Sequence, residues 1–319
     1  MKINVISVCH RAGWKALTLH DTDCRVREIQ MPNAASASWA ERLPVSLTAI
    51  IGGLAIALVA ANVWPVLLMT LGAAPATAVE LLFLAAYLWW LTGIAPGPWK
   101  AQRVDLGRGG RITRAGLVWG PVAAIAFAVT VHASIVLLFR FIPFPAEAFH
   151  AGYDFSFIPT LQLKWLACIV SALSAGVCEE MGFRGYMQRP MEKRRGPWVA
   201  ILVSSLVFML VHLNKSWSLA AMTPIVFGAG LMLGALARAS KTLVFCILGH
   251  TLMDVGLFAY WWTQIAGVFS QRPISETGLD VMFLAELAIF LLALATFVVA
   301  VRRLSGLAGA YPSPRPATG

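Results

Sequence analysis

The sequence predicts an all-α fold, a polytopic bundle of about eight transmembrane helices. Of its 319 residues, 59% are hydrophobic and only 13% are charged, whereas soluble domains carry roughly 25% charge. The hydrophobic residues also gather into runs close to the ~20 residues that cross a bilayer as a helix. Most of the apolar surface must then face lipid, as in an integral, multi-pass membrane protein.

The chain divides into three regions by composition. Residues 1–43 are polar and lack the apolar core of a signal peptide, so we expect a poorly ordered cytosolic extension there. Residues 44–303 hold the apolar runs and form the predicted bundle. Residues 304–319 end in closely spaced prolines and are expected to be a disordered tail.

The spans follow from the apolar runs in chain order. Glu80 and Glu286 lie near span ends, where we expect them to be interfacial. Tryptophans at span ends are typical of an aromatic belt at the membrane interface, and they are Trp89, Trp90, Trp99, Trp261 and Trp262. The spans are predicted at about residues 44–68, 76–95, 115–139, 161–191, 197–213, 218–238, 242–262 and 281–301.

The distribution of Lys and Arg predicts the topology. Most of these 25 residues lie in the N-terminal segment, in alternate connections between spans, and in the tail. The opposite side receives Arg140, Lys164, Lys215 and Arg272. Because basic residues accumulate on the cytoplasmic side, both termini are predicted to be cytosolic. The same pattern explains the net charge of +10 without a nucleic-acid partner.

The run 178–185, Cys-Glu-Glu-Met-Gly-Phe-Arg-Gly, interrupts the fourth span with charge. Ionisable side chains at membrane depth are costly, so they tend to be paired and functional. Glu180 and Arg184 are four residues apart and form an ion pair on one helix face. Glu179 points about 100° away from Glu180 around the helix, so it lies outside this ion pair and is available for a separate chemical role. The two glycines of the run favour close helix packing.

Two further spans carry polar pairs at the same spacing. Phe208 precedes His212 by four residues in the fifth span, and His250 precedes Asp254 by four in the seventh. Residues four apart share a helix face. His132 has no such partner in its helix, so we interpret it as a core histidine. Glu, His and His-Asp groups on three separate helices are difficult to explain by packing alone.

The ordered set Glu-Glu-x-x-x-Arg, Phe-x-x-x-His and His-x-x-x-Asp resembles the CPBP family of intramembrane proteases. This is the Abi group, which also contains Rce1-like CaaX prenyl endopeptidases. The resemblance covers residues 165–262 and places a protease core at about 160–262. It implies hydrolysis of a peptide bond within the membrane, in the inner membrane of a bacterial cell.

The resemblance also implies roles for single residues. Glu179 would act as the general base on a water molecule, and His212 would share that water. Glu180 with Arg184 would fix the helix. Phe208 would contact the substrate.

His250 and Asp254 correspond to the family's pair that stabilises the tetrahedral oxyanion. Where the family has Asn, this chain has Asp254, and an ionised carboxylate cannot donate a hydrogen bond. We therefore interpret Asp254 as the group that orients His250, with the imidazole donating alone.

A metal cofactor is one of two alternatives. Glu179, His212 and His250 offer the two histidines and one carboxylate of a zinc site with an open water position. The favoured mechanism is metal-independent, because the sequence holds no HExxH helix.

The expected partners are the bilayer and a membrane-associated protein or peptide substrate. Prenylated CaaX proteins, a secreted-peptide precursor and a sorting-signal protein all remain candidate substrates. The alternative function is non-catalytic, a membrane scaffold or an immunity or self-protection protein that uses the same polar pocket for binding. A transporter with a Glu-His proton relay is disfavoured, since the two halves show no repeated span pattern.

Overall fold

A computed structural model describes most of the predicted bundle. The predicted N-terminal extension, residues 1–43, and the end of the predicted tail, residues 310–319, lie outside the described residues and stay predictions. The described residues are 45–110, 112–151, 154–213, 217–269 and 271–309.

Helices and their connections make up the described part of the chain, which contains no strand. This confirms the all-α fold. The α-helices are α1 Val45–Ala61, α2 Val63–Leu71, α3 Ala73–Leu91, α4 Lys100–Leu106, α5 Arg114–Phe141, α6 Ala146–Ala151, α7 Leu161–Glu180, α8 Gln188–Arg195, α9 Pro197–His212, α10 Thr223–Ser240, α11 Val244–Gly256, α12 Ile274–Thr277 and α13 Val281–Gly309. The first π turn is Met181–Met187, the second is Leu257–Trp262, and a 3₁₀ turn spans Trp217–Met222.

Seven stretches within the described ranges are long and apolar enough to cross a membrane, one fewer than predicted. The difference is the predicted span 197–213, which forms the short helix α9. Its 16 residues rise about 24 Å, less than the ~30 Å of a hydrocarbon core. The seven stretches are Val45–Leu71, Ala73–Leu91, Arg114–Phe141, Leu161–Arg195, Ala220–Ser240, Val244–Trp262 and Val281–Gly306.

Helix α7 lies at the centre of the bundle and packs against α1, α3 and α11. Gly176, which the sequence did not single out, permits a close crossing with α11, because an added Cβ would lie 2.5 Å from Thr251 Oγ1. The first π turn packs just as closely on α1, where a Cβ on Gly182 would lie 2.5 Å from the carbonyl oxygen of Gly53. Close packing is thus the structural use of Gly182, as predicted.

Two predictions about the membrane interface are wrong. Glu80 is fully buried, and its Oε1 accepts a hydrogen bond from Ser174 Oγ at 2.7 Å. Helix α3 begins at residue 73 rather than 76, which places Glu80 about 4.5 Å deeper in the bundle. Trp261 is also buried, because an aromatic cluster from other elements surrounds it. The cluster contains Phe139, Phe144, Phe149 and Phe269.

The last helix extends beyond the predicted bundle. The disordered tail is predicted to begin at residue 304, but α13 continues to Gly309. Leu304 is 5% exposed and, like Ala300, belongs to the main hydrophobic core. Burial of this apolar face explains why the helix does not end where the predicted span does.

Candidate active site

The sequence-predicted polar pairs occupy corresponding places on two central helices. Helix α7 ends at Glu180, and the π turn after it carries Arg184. Helix α11 carries His250 and Asp254 in its last two turns, and the second π turn follows directly. A π turn is rare and is frequently found at functional sites. The two helices pack against each other.

Glu180 and Arg184 form the ion pair that their spacing predicted. Arg184 Nη1 donates to Glu180 Oε1 at 2.8 Å, and neither side chain has exposed surface. The guanidinium also lies 4.4 Å from the ring centroid of Phe208, and its Nη2 donates to the carbonyl oxygen of Gly230 at 3.4 Å. Burying the Arg184 charge costs several kcal/mol of lost hydration. These contacts offset that cost.

Glu180 has a second role that the sequence did not suggest. Its Oε1 lies 2.8 Å from Nδ1 of His250, within hydrogen-bond distance. Asp254 Oδ2, which we expected to orient this ring, lies 3.5 Å from the other nitrogen, Nε2. The shorter contact holds the ring from the Nδ1 side, so Glu180 also occupies an orienting position, and the role of Asp254 stays a prediction.

His212 is oriented by its own helix. Its Nδ1 lies 2.7 Å from the carbonyl oxygen of Phe208, a contact that requires the proton on Nδ1. The ring packs against Phe208 with centroids 4.4 Å apart. Phe208 also lies beside His250, at 6.0 Å between centroids. The aromatic ring thus packs beside both imidazoles.

Glu179 faces both imidazoles. Its Oε2 lies 3.8 Å from Nε2 of His212 and 3.9 Å from Nε2 of His250. These separations are too long for direct hydrogen bonds, but polar groups beyond 3.5 Å apart are frequently bridged by water. The structure therefore brings together three predicted residues from α7, α9 and α11 around one point.

A cavity of about 370 Å³ opens onto this point. Its walls are largely apolar and aromatic, and they include Phe208, which the sequence analysis names as a candidate substrate contact. The lining also contains Asn62 and Pro65, which lie where α1 gives way to α2. A concave apolar site with a few convergent polar groups is typical of ligand and substrate binding.

Two serines in the cavity wall were missed by sequence reasoning. Ser171 and Ser174 line the cavity on the same helix as Glu179. Ser171 Oγ accepts a hydrogen bond from Trp64 Nε1 at 2.6 Å, and Ser174 donates to Glu80. Spacing along α7 places Ser171 two turns before Glu179 on one face, a signal that was present in the sequence.

His132 lies outside this cluster. Its Nε2 is 3.0 Å from the carbonyl oxygen of Met253. The hydrogen bond supports the interpretation of His132 as a core histidine with a satisfied ring.

The polar residues do not have the arrangement of a metal site. Among the described residues, no group of three or more His, Cys, Asp or Glu side chains is placed to hold a metal ion. Ligand atoms about 2.0–2.1 Å from a tetrahedral zinc would lie roughly 3.3 Å apart, whereas Glu179 Oε2 lies 3.8 and 3.9 Å from the imidazole nitrogens.

Comparison with known families supports the resemblance drawn from the three motifs. Residues 161–256 match the family model described as type II CAAX prenyl endopeptidase Rce1-like. The match confirms the predicted resemblance over about three tenths of the chain, the part that holds all three motifs. No curated protein matches the chain. The matched family is one of proteases, and the apolar helices around the matched segment are those of an integral membrane protein.

Proposed function

We propose that this protein is an intramembrane endopeptidase that hydrolyses a peptide bond of a membrane-associated protein or peptide. One observation carries the proposal. Glu179 Oε2 lies 3.8 and 3.9 Å from the Nε2 atoms of His212 and His250, at the wall of an apolar cavity. The Rce1-like family match supports the same class of reaction.

In the proposed first step Glu179 activates water. A water molecule between the carboxylate and the imidazole of His212 donates one proton to Glu179, while its oxygen attacks the carbonyl carbon of the substrate. His212 has its proton on Nδ1, directed at the Phe208 carbonyl. Its Nε2 is therefore free of a proton and accepts a hydrogen bond from the second O–H of the water. This pair of acceptors aligns the water for attack.

His250 stabilises the oxyanion that forms. With both ring nitrogens protonated, Nδ1–H donates to Glu180 at 2.8 Å, and Nε2–H is directed at the developing negative charge. The negative carboxylate of Asp254, 3.5 Å from Nε2, favours that protonated ring. Asp254 acts in this way through the imidazole and without a hydrogen bond of its own to the substrate.

Collapse of the tetrahedral intermediate completes the reaction. The carbon–nitrogen bond breaks, and Glu179 returns the proton it took from water to the leaving nitrogen. The products are a new carboxyl terminus and a free amine. Glu179 is then ionised again, and no other residue has changed its protonation state.

The cavity favours a substrate with a large apolar group. Its aromatic lining includes Trp64, Phe258 and Trp262, beyond the polar cluster. A prenylated CAAX-type peptide, the substrate class of the matched family, presents such a group beside its scissile bond. We propose this class as the substrate.

The experiment compares membrane proteomes of cells that produce wild-type protein or the Glu179→Gln variant. We expect a precursor to accumulate uncleaved in Glu179→Gln cells, with the variant present at wild-type abundance. The matched control is Glu276→Gln, because Glu276 is exposed and lies outside the cavity. Equal precursor levels in the wild-type, Glu179→Gln and Glu276→Gln strains would contradict the proposal that the protein is a protease.

A further inference from the structure

A basic groove lies at the predicted cytosolic end of the bundle, apart from the candidate active site. It is a cavity of about 870 Å³ between α4, α8 and the end of α10. This volume is within the roughly 300–1,000 Å³ of small-molecule sites. Five cationic and two anionic side chains line it, namely Arg108, Arg189, Lys193, Arg238 and Lys241 against Asp105 and Glu192.

Ion pairs within the basic groove neutralise only part of this charge. Asp105 pairs with Lys193 at 2.6 Å, and Glu192 pairs with Arg108 at 2.9 Å. The Arg238 side chain is exposed and forms no ion pair with another described residue. The five cationic and two anionic side chains that line the groove together carry a net charge of +3, and the cations Arg238 and Lys241 lie at the end of α10.

The position of the groove relative to the membrane indicates the kind of anion. Helix α8 is the last part of Leu161–Arg195, a stretch long and apolar enough to cross a membrane, so we place the groove at the level of the lipid headgroups. Val104 lines the groove and is 38% exposed, and Trp99 and Ile112 near it in sequence are also exposed. Apolar side chains next to cations suit a ligand that joins an acyl chain to a phosphate.

We propose that the basic groove binds the phosphate headgroup of an anionic phospholipid. Basic pockets between transmembrane helices on the cytoplasmic side recognise such headgroups. A free phosphate would satisfy the same cations, but only a lipid also places apolar chains against Val104. The ligand is therefore a lipid rather than a soluble anion.

The groove is connected to the polar cluster by one buried side chain. Arg108 is 5% exposed, pairs with Glu192 in the groove, and donates from Nε to the carbonyl oxygen of Arg184 at 3.0 Å. Arg184 in turn pairs with Glu180. A bound headgroup therefore braces the first π turn, and we expect it to raise the melting temperature of the whole bundle.

Native mass spectrometry of the full chain in detergent tests the proposal. Titrations use phosphatidylglycerol, phosphatidylcholine and inorganic phosphate as probes. We expect one phosphatidylglycerol to bind more tightly than phosphatidylcholine. The Arg238→Gln/Lys241→Gln variant removes two groove cations, and its affinity should fall roughly 25-fold, at about fivefold for each cation.

The control variant removes the same charge outside the groove. Arg195 and Arg302 are exposed and do not line it, so Arg195→Gln/Arg302→Gln should retain wild-type affinity within about twofold. Each variant is first melted without lipid. If the groove double variant unfolds, Arg238→Gln alone replaces it, with an expected fivefold loss.

Three results would overturn the proposal. Equal losses in the groove and control variants would mean that the binding is diffuse attraction to basic surface. Equal affinity for phosphatidylcholine would remove the role of charge. Binding of inorganic phosphate as tight as that of phosphatidylglycerol would show a soluble-anion site. None of these readouts depends on peptide cleavage.

Discussion

Charged side chains gather at two places along the same helical stretch, and the two places differ in their access to water. Glu180 and Arg184 pair at 2.8 Å with no exposed surface. Further along, Lys193 pairs with Asp105 at 2.6 Å, yet the lysine side chain is 54% exposed and the aspartate 29%. The shorter of the two ion pairs is thus the one in contact with solvent.

The comparison teaches that distance alone does not rank these pairs. Breaking a buried pair leaves an uncompensated charge and costs about 3–5 kcal/mol, whereas exposed pairs contribute about 0–1 kcal/mol. The groove carboxylate still responds to its partners. Burial acts to raise the pKa of Asp105, but hydrogen bonds from Lys193 and Arg189 outweigh it and hold the pKa below its usual range.

Removal of the buried cation should have the largest effect on stability. Arg184→Leu leaves Glu180 buried without its partner, and we expect the free energy of unfolding to fall by about 3–5 kcal/mol. Arg189→Leu is the matched control, because Arg189 is 34% exposed and pairs with Asp105, and it should cost no more than about 1 kcal/mol. Denaturant unfolding in micelles measures both. Equal losses would erase the distinction between the two regions.

Removal of the buried carboxylate charge should reduce both stability and catalysis. Arg184 is then buried without its ion-pair partner, at a cost of about 3–5 kcal/mol in the free energy of unfolding. Glu180→Gln preserves shape but removes the negative charge beside His250, so kcat should fall by about 10²–10⁴ with little change in KM. Cleavage kinetics on the accumulated precursor, once it is identified, measure this change. A kcat within twofold of the Glu276→Gln control would exclude Glu180 as the residue that positions His250.

Packing under the first π turn offers a test with adjacent glycines. A Cβ on Gly53 would lie 2.6 Å from Met187 Cβ and 2.8 Å from the Gly182 carbonyl oxygen, whereas a Cβ on Gly52 would meet nothing within 4 Å. Gly53→Ala should therefore destabilise by about 1–3 kcal/mol. Gly52→Ala should be neutral or stabilising by up to about 1 kcal/mol. Melting curves that rank the two variants in the opposite order would refute this packing.

The exposed pair should tolerate substitution. Lys193→Gln removes its contact with Asp105, and we expect the free energy of unfolding to change by no more than about 0.5 kcal/mol. The same unfolding assay applies. A loss as large as that of Arg184→Leu would mean that solvent exposure does not weaken the groove pairs.

Metal removal should have the smallest effect of all. The distances around Glu179 do not match those of a zinc site, so we expect chelator treatment and added zinc to leave the cleavage rate unchanged within about twofold. Loss of cleavage with chelator, followed by recovery with zinc, would require these side chains to move closer together around a metal.

The sequence predicted relations within one helix better than those between helices. Spacing alone predicted the Glu180–Arg184 pair. The order of the motifs predicted that Glu179, His212 and His250 belong to one site. The hydrogen bond from His250 to Glu180 joins residues 70 positions apart, on different helices. Helical periodicity relates residues of one helix only, so it cannot predict such a contact.

Burial depth was the other property that spacing did not reveal. Glu80 was assigned to the interface because it lies near the start of an apolar run, but α3 begins earlier and Ser174 supplies its partner. Helix α9 shows the same limit, since an apolar run does not reveal that its helix is only 16 residues long, shorter than the other apolar stretches.

The central claim is that Glu179 activates water between two imidazoles. The most direct measurement is the cleavage rate of the purified precursor by Glu179→Gln in vesicles, beside Glu276→Gln. We predict that Glu179→Gln binds the precursor and melts like the control, but cleaves it at less than about a hundredth of the control's rate. Cleavage by Glu179→Gln at the control rate would contradict the mechanism.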